Sequence, residues 1–315
     1  MKVFITGISG FVGQSLADEC AKLGWSVSGQ SLNKHQSDFA VYQLSLDRST
    51  DWLNAIKGND VVVHCAARVS LSDAEANTGQ DIFHLTNTEG TLQLARQAAE
   101  CGVKRFIFIS SIKVNGEATN DGVPFTAEVL RPPVDPYGAS KYRAEMGLMK
   151  IAEQSTMEIV IIRSPLVYGP GVKANFLLMM NLISKRIPLP FGLVDNKRSM
   201  VFIRNLTDFI ITAATDPRAV NETFVVSDGH DCSTPELIMT IAKHMGMKAL
   251  LLPIPKFILV KMLHLLKRDN LKTKTVDSLQ VDIRKSSDIL GWVPKFSFST
   301  GIKETVEHYI EKNRK

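Results

Sequence analysis

The stretch TGISGFVG, residues 6–13, follows the apolar residues VFI at the start of the chain. Its three glycines, Gly7, Gly10 and Gly13, are spaced three apart, and residues 12–24 show the pattern of an amphipathic helix. A strand, a tight glycine turn and a helix place backbone N–H groups and the positive end of a helix where a pyrophosphate can bind. The stretch therefore predicts a dinucleotide-binding loop, with a tight turn that binds nothing as the alternative.

The first half of the chain alternates short apolar runs with amphipathic segments. The β-branched run at 60–67 indicates a central strand buried on both faces, and long helices are predicted over 81–99 and 137–153. Strands that alternate with helices predict an α/β fold, a Rossmann-type doubly wound parallel sheet. Right-handed crossovers then bring the carboxyl ends of the strands together at one crevice.

This alternation breaks after Tyr168, where prolines and glycines accumulate. We expect a smaller α/β C-terminal domain there, which binds the substrate. The predicted division assigns residues 1–170 and a returning segment at about 200–230 to the dinucleotide-binding domain. The substrate domain is expected to comprise residues 171–199 and 231–315.

The composition is that of an ordinary globular protein: of 315 residues, 44% are hydrophobic and 22% charged, with a net charge of +5. No basic stripe is interleaved with aromatic residues, so we expect no nucleic-acid partner. A strand that begins at Lys2 leaves no room for a signal peptide, and none is expected. Four cysteines lie far apart without a CxxC pair, which predicts no metal site and reduced thiols in a cytoplasmic enzyme. They are Cys20, Cys65, Cys101 and Cys232.

The most apolar segment of the chain is ALLLPIPKFILVKMLHLL, residues 249–266. Two prolines and two lysines interrupt it, and it is too short and too polar to be predicted as a membrane span. We interpret it as a buried helix or a subunit contact. Attachment to a membrane surface is left open as the alternative.

A second decisive stretch is DPYGASK, residues 135–141. Asp135 is placed to cap a helix whose first turn contains Pro136. Tyr137 and Lys141 are four residues apart, so their side chains lie on one helical face. An ammonium beside a phenol lowers the pKa of the phenol toward neutral pH, and such a tyrosine can exchange a proton with a carbinol or carbonyl oxygen. A surface Tyr–Lys pair is the alternative.

These two stretches occur in one ordered set of motifs with HCAA (64–67), NTEGT (87–91), FISSIKVNGE (108–117), IIRSPLVYGPG (161–171) and LGWVPK (290–295). The set covers nearly the whole chain and resembles the extended short-chain dehydrogenases/reductases, in particular their nucleotide-sugar epimerase/dehydratase branch. The resemblance implies that Tyr137 is the general acid/base and that Lys141 holds the nicotinamide ribose and lowers the pKa of Tyr137. It assigns the hydrogen bond to the reacting oxygen to Ser111, with Ser110 as the less favoured choice.

The same resemblance implies a cofactor site, NADP(H) or NAD(H). The end of the second predicted strand, Gln30 or Ser31, lacks the acidic residue that usually binds the ribose of NAD, and Lys34 follows closely, so NADP(H) is slightly favoured. The expected cofactor-binding residues are Thr6, Gly7, Gly10, Phe11, Val12, Gly13, Ser31, Lys34, Leu46, Ala66, Ala67, Asn87, Ser110, Tyr137 and Lys141.

For the substrate, the resemblance implies a UDP-sugar. Arg198 matches the family arginine that grips the nucleotide diphosphate, a role that suits a guanidinium. Asn175 and Phe176 are expected at the nucleoside, and Ser111 and Lys113 complete the expected substrate-binding set. Arg163 is either a crevice residue or a structural ion pair, and His64 is expected at a strand end near the cofactor. Two residues depart from the family pattern. Asn115 stands where many relatives have a Tyr, which puts a sugar contact in doubt, and Leu166 replaces an Asn, which puts a phosphate contact in doubt.

The two residues directly after the catalytic serine narrow the choice of reaction. A dehydratase of this branch has an Asp–Glu pair there, whereas this chain has Ile112 and Lys113, so a dehydratase is not expected. The leading hypothesis is a C4 ketoreductase that reduces a UDP-4-keto-6-deoxy-N-acetylhexosamine to UDP-N-acetylquinovosamine for surface polysaccharide synthesis.

The alternative is a UDP-glucose or UDP-N-acetylglucosamine 4-epimerase with tightly bound NAD. A non-catalytic dinucleotide sensor and a steroid dehydrogenase are more distant alternatives. A homodimer through the helices at 81–99 and 137–153 is also implied by the resemblance.

Overall fold

The computed structural model describes residues 1–71, 81–120, 122–266 and 268–314. Its central feature is a seven-stranded sheet in which every pairing is parallel. The strands are β1 (Lys2–Thr6), β2 (Ser26–Ser31), β3 (Ala40–Gln43), β4 (Val61–His64), β5 (Arg105–Ser111), β6 (Glu158–Ser164) and β9 (Thr223–Val225). Their order across the sheet is β3-β2-β1-β4-β5-β6-β9. This topology confirms the predicted Rossmann-type doubly wound sheet.

Helices cover both faces of this sheet. One face is covered by α1 (Phe11–Lys22) and α6 (Ile203–Thr215), which share a core with alternate residues of the central strands, such as Val3 and Val63. On the other face lie α2 (Leu53–Ile56), α3 (Thr91–Glu100) and α4 (Pro136–Gln154). The apolar run of β4 is explained by this arrangement, since Val61, Val62 and Val63 alternate between the two cores.

The helix predicted over 81–99 differs in its first part. Residues 82–83 are α-helical, His84–Gly90 form a π-helical segment, and the α-helix resumes at Thr91. Asn87 and Thr88 lie on this wide turn and bond Ser140 of α4, so the irregular turn faces the helix that carries Tyr137 and Lys141. Wide turns of this kind are frequent at functional sites.

The remaining elements form a smaller body beside the carboxyl edge of the main sheet. Its three-stranded sheet is made of β7 (Leu166–Tyr168), β8 (Arg198–Phe202) and β10 (Asp231–Cys232), with β8 in the middle. Its helices are α5 (Ala174–Ser184), α7 (Thr234–His244), α8 (Lys256–Leu265), α9 (Asp269–Thr275) and α11 (Phe298–Arg314). The helix α10 (Arg284–Leu290) packs instead against β9 and the core of the main sheet, although the predicted division placed it in the substrate domain. The segment from β8 through α6 to β9 leaves this body and adds the last strand to the main sheet, next to β6.

Candidate active site

The glycine loop joins β1 to α1 and is shaped for close approach of a ligand. Gly7 has a φ of +64°, and its carbonyl accepts a 2.8 Å hydrogen bond from the N–H of Gly10. A Cβ atom on Gly13 would lie 2.2 Å from the Gly7 oxygen, so only glycine lets α1 pack this tightly on the loop. The N-terminus of α1 at Gly10 has no side-chain cap, and its first N–H groups are therefore directed at whatever binds the loop. This cradle fits the pyrophosphate of a dinucleotide.

A chain of hydrogen bonds fixes the strand ends on either side of the loop. His64 is fully buried; its Nδ1 lies 2.6 Å from Oγ1 of Thr6 and its Nε2 lies 2.8 Å from Oγ1 of Thr91. The Thr91 hydroxyl donates to the carbonyl of Asn87, so His64 donates through Nε2 and accepts through Nδ1. Burial and the charge of Lys141 both hold the pKa of His64 well below its ordinary value, as a neutral ring requires. His64 is a strand-end residue, as predicted. Its hydrogen bond to Thr6 holds the residue directly before the glycine loop in place.

Thr6 was expected at the cofactor, but its hydroxyl is used inside the protein. It is fully buried, donates to His64 and accepts from the N–H of Ala66 at 3.1 Å. Its part at the site is therefore to hold the end of β4 against the glycine loop.

At the end of β2 lies the position where an acidic residue usually binds the ribose of NAD. Gln30 is buried and its amide accepts from the N–H of Gly7 at 3.0 Å and donates to the carbonyl of Leu44 at 2.6 Å, so it supports the loop instead of a ribose. The Ser31 hydroxyl donates to the carbonyl of Asn33, and Lys34 is exposed. The other expected cofactor residues Phe11, Val12, Leu46, Ala66 and Ala67 are half-buried around the loop and the ends of β3 and β4.

Ser111, Tyr137 and Lys141 converge where β5 ends and α4 begins. The side chain of Ser111, the last residue of β5, is close enough to the phenol of Tyr137 to lower its pKa. Asp135 caps α4 by accepting from the N–H of Gly138 at 2.8 Å, with Pro136 in the first turn as predicted. Lys141 is 1% exposed and donates from Nζ to the carbonyl of Ile109 at 2.9 Å. This is the arrangement needed for a proton-transfer group with a hydroxyl that orients the reacting oxygen.

The pKa directions correct one part of the prediction. Burial raises the pKa of Tyr137 to about 12, the hydrogen bond from Ser111 opposes that rise, and the charge of Asp135 adds to it. Lys141 does not contribute to lowering it. Burial lowers the pKa of Lys141 itself to about 8, although Cys65 and Glu145 act in the opposite direction. The expectation that Lys141 lowers the pKa of Tyr137 is therefore not met in this structure, where the burial of the phenol dominates.

Asn87 ties together three parts of the site. Its amide oxygen accepts from the N–H of Arg68 at 2.7 Å, and its Nδ2 donates to the Arg68 carbonyl at 2.9 Å and to the Ser140 hydroxyl at 3.1 Å. The segment after β4 is thereby fixed to α4, one position before Lys141. Asn87 was expected to bind the cofactor. In the structure its side chain shapes the site through these three hydrogen bonds.

Sequence reasoning missed Glu145, one helical turn beyond Lys141. The Ser110 hydroxyl donates to Glu145 at 2.5 Å, so Ser110 is committed to the interior and Ser111 is the serine beside Tyr137. Arg163 donates to both oxygens of Glu145, which makes it the structural ion pair that was one of its two expected roles. The signal for Glu145 was the spacing of four that already linked Tyr137 to Lys141.

The expected substrate residues are less uniform. Lys113 forms ion pairs with Glu117 at 2.7 Å and with Asp135 at 3.4 Å. Arg198 begins β8 and donates from Nη1 to the carbonyls of Thr273 and Asp277 at 2.7 and 2.9 Å. These two backbone carbonyls therefore fix the orientation of the Arg198 guanidinium.

The two residues expected at the nucleoside lie in the first turn of α5. Asn175 is exposed there. Phe176 is 3% exposed and stacks on Tyr168 with ring centroids 5.7 Å apart. Its ring therefore belongs to the core, and a contact of Phe176 with the nucleoside stays a prediction.

Asn115, at which many relatives have a tyrosine, also has a structural role. Its Nδ2 donates to the carbonyls of Thr126 and Glu128 at 2.9 and 2.7 Å, and its Oδ1 accepts from Arg163. Leu166 is about half exposed in β7. The structure thus brings Ser111, Tyr137 and Lys141 together, and it gives Asn115 a structural role.

Three further features concern the composition. All four cysteines are free thiols. Within the described ranges no cluster of His, Cys, Asp and Glu side chains could hold a metal ion. None of the helices described in the structure is long and apolar enough to cross a bilayer.

Comparisons with known proteins agree with this site. Residues 3–227 match the family described as the NAD dependent epimerase/dehydratase family. A UDP-glucose 4-epimerase of Vibrio cholerae is 42% identical over 319 aligned positions, covering 99% of this chain and 97% of the relative. The family description names NAD, which confirms the expectation of a nicotinamide dinucleotide.

Two solved structures share the fold. The UDP-glucuronic acid 4-epimerase of Bacillus cereus, in complex with NAD, superposes with a TM-score of 0.79 at 21% identity, over 100% of both chains. The UDP-glucose 4-epimerase of Thermotoga maritima, with UDP-glucose, gives a TM-score of 0.77 at 22% identity, over 99% of this chain and 100% of the other. At this identity the likeness establishes the fold alone.

Proposed function

The chain belongs to the NAD-dependent epimerase/dehydratase family, and from this premise we propose that it is a UDP-hexose 4-epimerase that retains NAD. The observation that carries the proposal is the Ser111–Tyr137–Lys141 set at the edge of a glycine-loop cradle. The 42% identical UDP-glucose 4-epimerase, aligned over nearly the whole chain, supports the epimerase over the C4 ketoreductase that the sequence analysis favoured.

The residues have defined roles in this proposal. When bound, the nicotinamide supplies hydride chemistry at C4 of the hexose. Tyr137 accepts the proton of the O4 hydroxyl and returns it, and the Ser111 hydroxyl beside the phenol orients that oxygen. Lys141, on the same helix as Tyr137, is held by the Ile109 carbonyl, and we assign it the nicotinamide ribose.

Inversion at C4 requires that the sugar present both of its faces to Tyr137 while the nucleotide stays bound. Arg198 is suited to hold the diphosphate because the carbonyls of Thr273 and Asp277 fix its guanidinium. A single anchor at the diphosphate leaves the hexose free to turn. We therefore propose that Arg198 binds the diphosphate. We propose no residue near Tyr137 that would hold the hexose in a single orientation.

A dehydratase is disfavoured by the two residues after Ser111. Ile112 is 3% exposed and apolar, and Lys113 is engaged with Glu117 and Asp135. Elimination across C5 and C6 needs an acid and a base beside the sugar, and neither side chain provides them.

NAD is proposed over NADP for two reasons. The family description names NAD. Lys34, the cation that favoured a 2′-phosphate, is an exposed side chain beyond the end of β2. The binding of the adenosine ribose without an acidic residue is then left to Ser31 and backbone groups near it.

We also propose that the chain forms a homodimer through α3 and α4. These helices pack on one face of the sheet, and Met146 of α4 is 48% exposed although it is apolar. Light scattering of the purified protein tests this, and a monomer of 34.8 kDa would contradict it.

The experiment that tests the function begins with the purified protein as isolated. The protein is denatured and the supernatant is assayed for released NAD and NADP, and fresh protein is incubated with UDP-glucose and with UDP-N-acetylglucosamine. We expect near-stoichiometric NAD and conversion of at least one sugar to its C4 epimer without added cofactor. Tyr137→Phe should retain the bound nucleotide and lose epimerisation by about 10²–10⁴-fold. A protein that contains no nucleotide and oxidises NADPH only when a UDP-4-keto-sugar is added would instead be a C4 reductase.

A further inference from the structure

The helix α8 exposes most of its apolar side chains. Phe257 is 73% exposed, Met262 45% and Leu265 82%, and Ile258 and Leu266 are 41% and 63% exposed. We call these five residues the α8 surface. Monomeric globular proteins scatter exposed apolar residues singly, and a group of this size on one short helix marks an interaction site.

This helix is attached to the protein along one narrow side. Leu259 and Leu263 are its buried residues, and they pack in a small cluster with Val194 and Val276. The exposed side chains lie between and beyond these two positions, so the apolar character of the helix extends well past the part that the core uses. The sequence-based interpretation as a buried helix is therefore right for two residues only.

The chain around the α8 surface is mainly cationic, although Asp269 follows Arg268 directly. Residues 237–268 contain no Asp or Glu and contain six Lys or Arg residues: Lys243, Lys248, Lys256, Lys261, Lys267 and Arg268. Lys261 and Arg268 are exposed, and Lys256 of α8 lies 3.4 Å from Asp195. Apolar side chains flanked by cations match the boundary between acyl chains and anionic headgroups.

The proposed dimer leaves this surface uncovered. The helices α3 and α4 pack around Leu94 and Leu148 in the core of the main sheet, whereas α8 belongs to the separate cluster around Val194. A contact through α3 and α4 therefore does not bury α8.

We propose that the α8 surface docks this protein onto a bilayer that contains anionic lipid. Phe257, Met262 and Leu265 enter the boundary between headgroups and acyl chains, and Lys261 and Arg268 bind lipid phosphates. The segment after α8 supplies the carbonyls of Thr273 and Asp277 that hold Arg198, so docking brings the diphosphate anchor near the bilayer. The attachment is peripheral and reversible, because one short helix buries only a few side chains.

The test measures binding of the purified full-length protein to sedimenting vesicles. Vesicles of phosphatidylcholine alone are compared with vesicles of phosphatidylcholine and phosphatidylglycerol, at low and high NaCl. We expect binding to the anionic vesicles that weakens as salt rises, since surface charge attraction is screened. Phe257→Gln with Leu265→Gln should lower the partition coefficient at least about tenfold, and Lys261→Glu should weaken binding to anionic vesicles.

The matched control removes two exposed apolar side chains elsewhere. Leu23 and Val293 are 56% and 62% exposed, and Leu23→Gln with Val293→Gln should bind vesicles like the unaltered protein. Conversion of soluble UDP-sugars should be unchanged in the Phe257/Leu265 variant, so the result does not depend on the proposed function.

Two results would overturn the proposal. One is the absence of vesicle binding, or binding that the Phe257/Leu265 and Lys261 variants leave unchanged. The other is a change of oligomeric state in the Phe257/Leu265 variant without vesicle binding by the unaltered protein, which would make the α8 surface a contact between copies of this chain. Lys261→Glu alone keeps the test decisive if the double variant does not fold.

Discussion

Glu145 and Arg163 form a buried ion pair between the catalytic helix α4 and strand β6. Nη2 of Arg163 lies 2.6 Å from Oε2 of Glu145, and the two side chains are 5% and 4% exposed. Ser110 of β5 donates to the same carboxylate, and Arg163 continues to the carbonyl of Ala127 at 2.8 Å. The pair therefore fixes α4, two strands and the loop around residue 127 relative to one another.

Breaking this pair from either side should be strongly destabilising. Glu145→Gln and Arg163→Met each leave one buried group without its partner, and each should lower the free energy of unfolding by about 3–5 kcal/mol. The double variant should lose less than the sum of the two, because no unpaired charge then remains. Urea unfolding followed by circular dichroism measures all three.

An exposed ion pair serves as the control for these substitutions. Lys303 and Glu307 on α11 lie 3.8 Å apart with side chains more than half exposed. Lys303→Met should change the free energy of unfolding by less than about 1 kcal/mol. Additive losses in the Glu145/Arg163 double variant would contradict the coupling inferred from the structure.

Gly13→Ala should abolish retention of the nucleotide. The new Cβ would lie 2.2 Å from the Gly7 oxygen and 2.9 Å from the Ile8 Cα, and both are backbone atoms of the loop that cannot move without opening the cradle. The measurement is the molar ratio of nucleotide released on denaturation. Gly24→Ala is the control, since it introduces strain at a φ of +74° but meets no atom within 4 Å. Equal nucleotide content in both variants would show that the loop tolerates the shift.

His64 should make the protein sensitive to acid. Its pKa in the folded state is well below the ordinary 6.5, first because of burial and then because of the Lys141 charge. Below pH 6.5 the unfolded chain binds a proton at this residue that the folded chain does not, so stability falls as the pH falls. Relative to His64→Gln, the free energy of unfolding should drop by up to about 1.4 kcal/mol per pH unit between pH 6.5 and 5.

Guanidinium or urea titrations at several pH values measure this difference. His308→Gln, at an exposed position of α11, controls for the loss of one histidine. A parallel pH dependence of the unaltered protein and His64→Gln would mean that His64 is charged in the folded state, against the hydrogen-bond directions in the structure.

Lys141 should make the free energy of unfolding rise with pH in the alkaline range, as His64 does in the acidic range. Its pKa of about 8 in the fold lies below its ordinary 10.5, because it is buried. Between these values the unfolded chain holds a proton that the folded chain has released, so stability rises with pH, by up to about 1.4 kcal/mol per unit. The difference in unfolding free energy between nucleotide-free protein and Lys141→Met, measured from pH 7.5 to 10, should show this rise. A flat difference would place the ammonium in its charged form throughout.

The sequence by itself predicted the features that local chemistry dictates. TGISGFVG, the β-branched run at 60–67 and the cap at Asp135 each act over a few residues, and their order along the chain was enough to predict the parallel sheet, the glycine cradle and the positions of Tyr137 and Lys141. A spacing of three or four residues determines which side chains lie together on one helix or turn. This local geometry is the same in any fold that contains that helix or turn.

Only the tertiary structure decided the side-chain partners. Gln30, Thr6 and Asn87 stand at positions where a cofactor ligand was expected, and each is used to hold another part of the site, at a partner 14 to 60 residues away. The direction of the Tyr137 pKa likewise depends on how deeply the phenol is buried, which no spacing reports. Burial and hydrogen-bond satisfaction are sums over neighbours from distant parts of the chain, so they are fixed only when the strands, loops and helices have packed together.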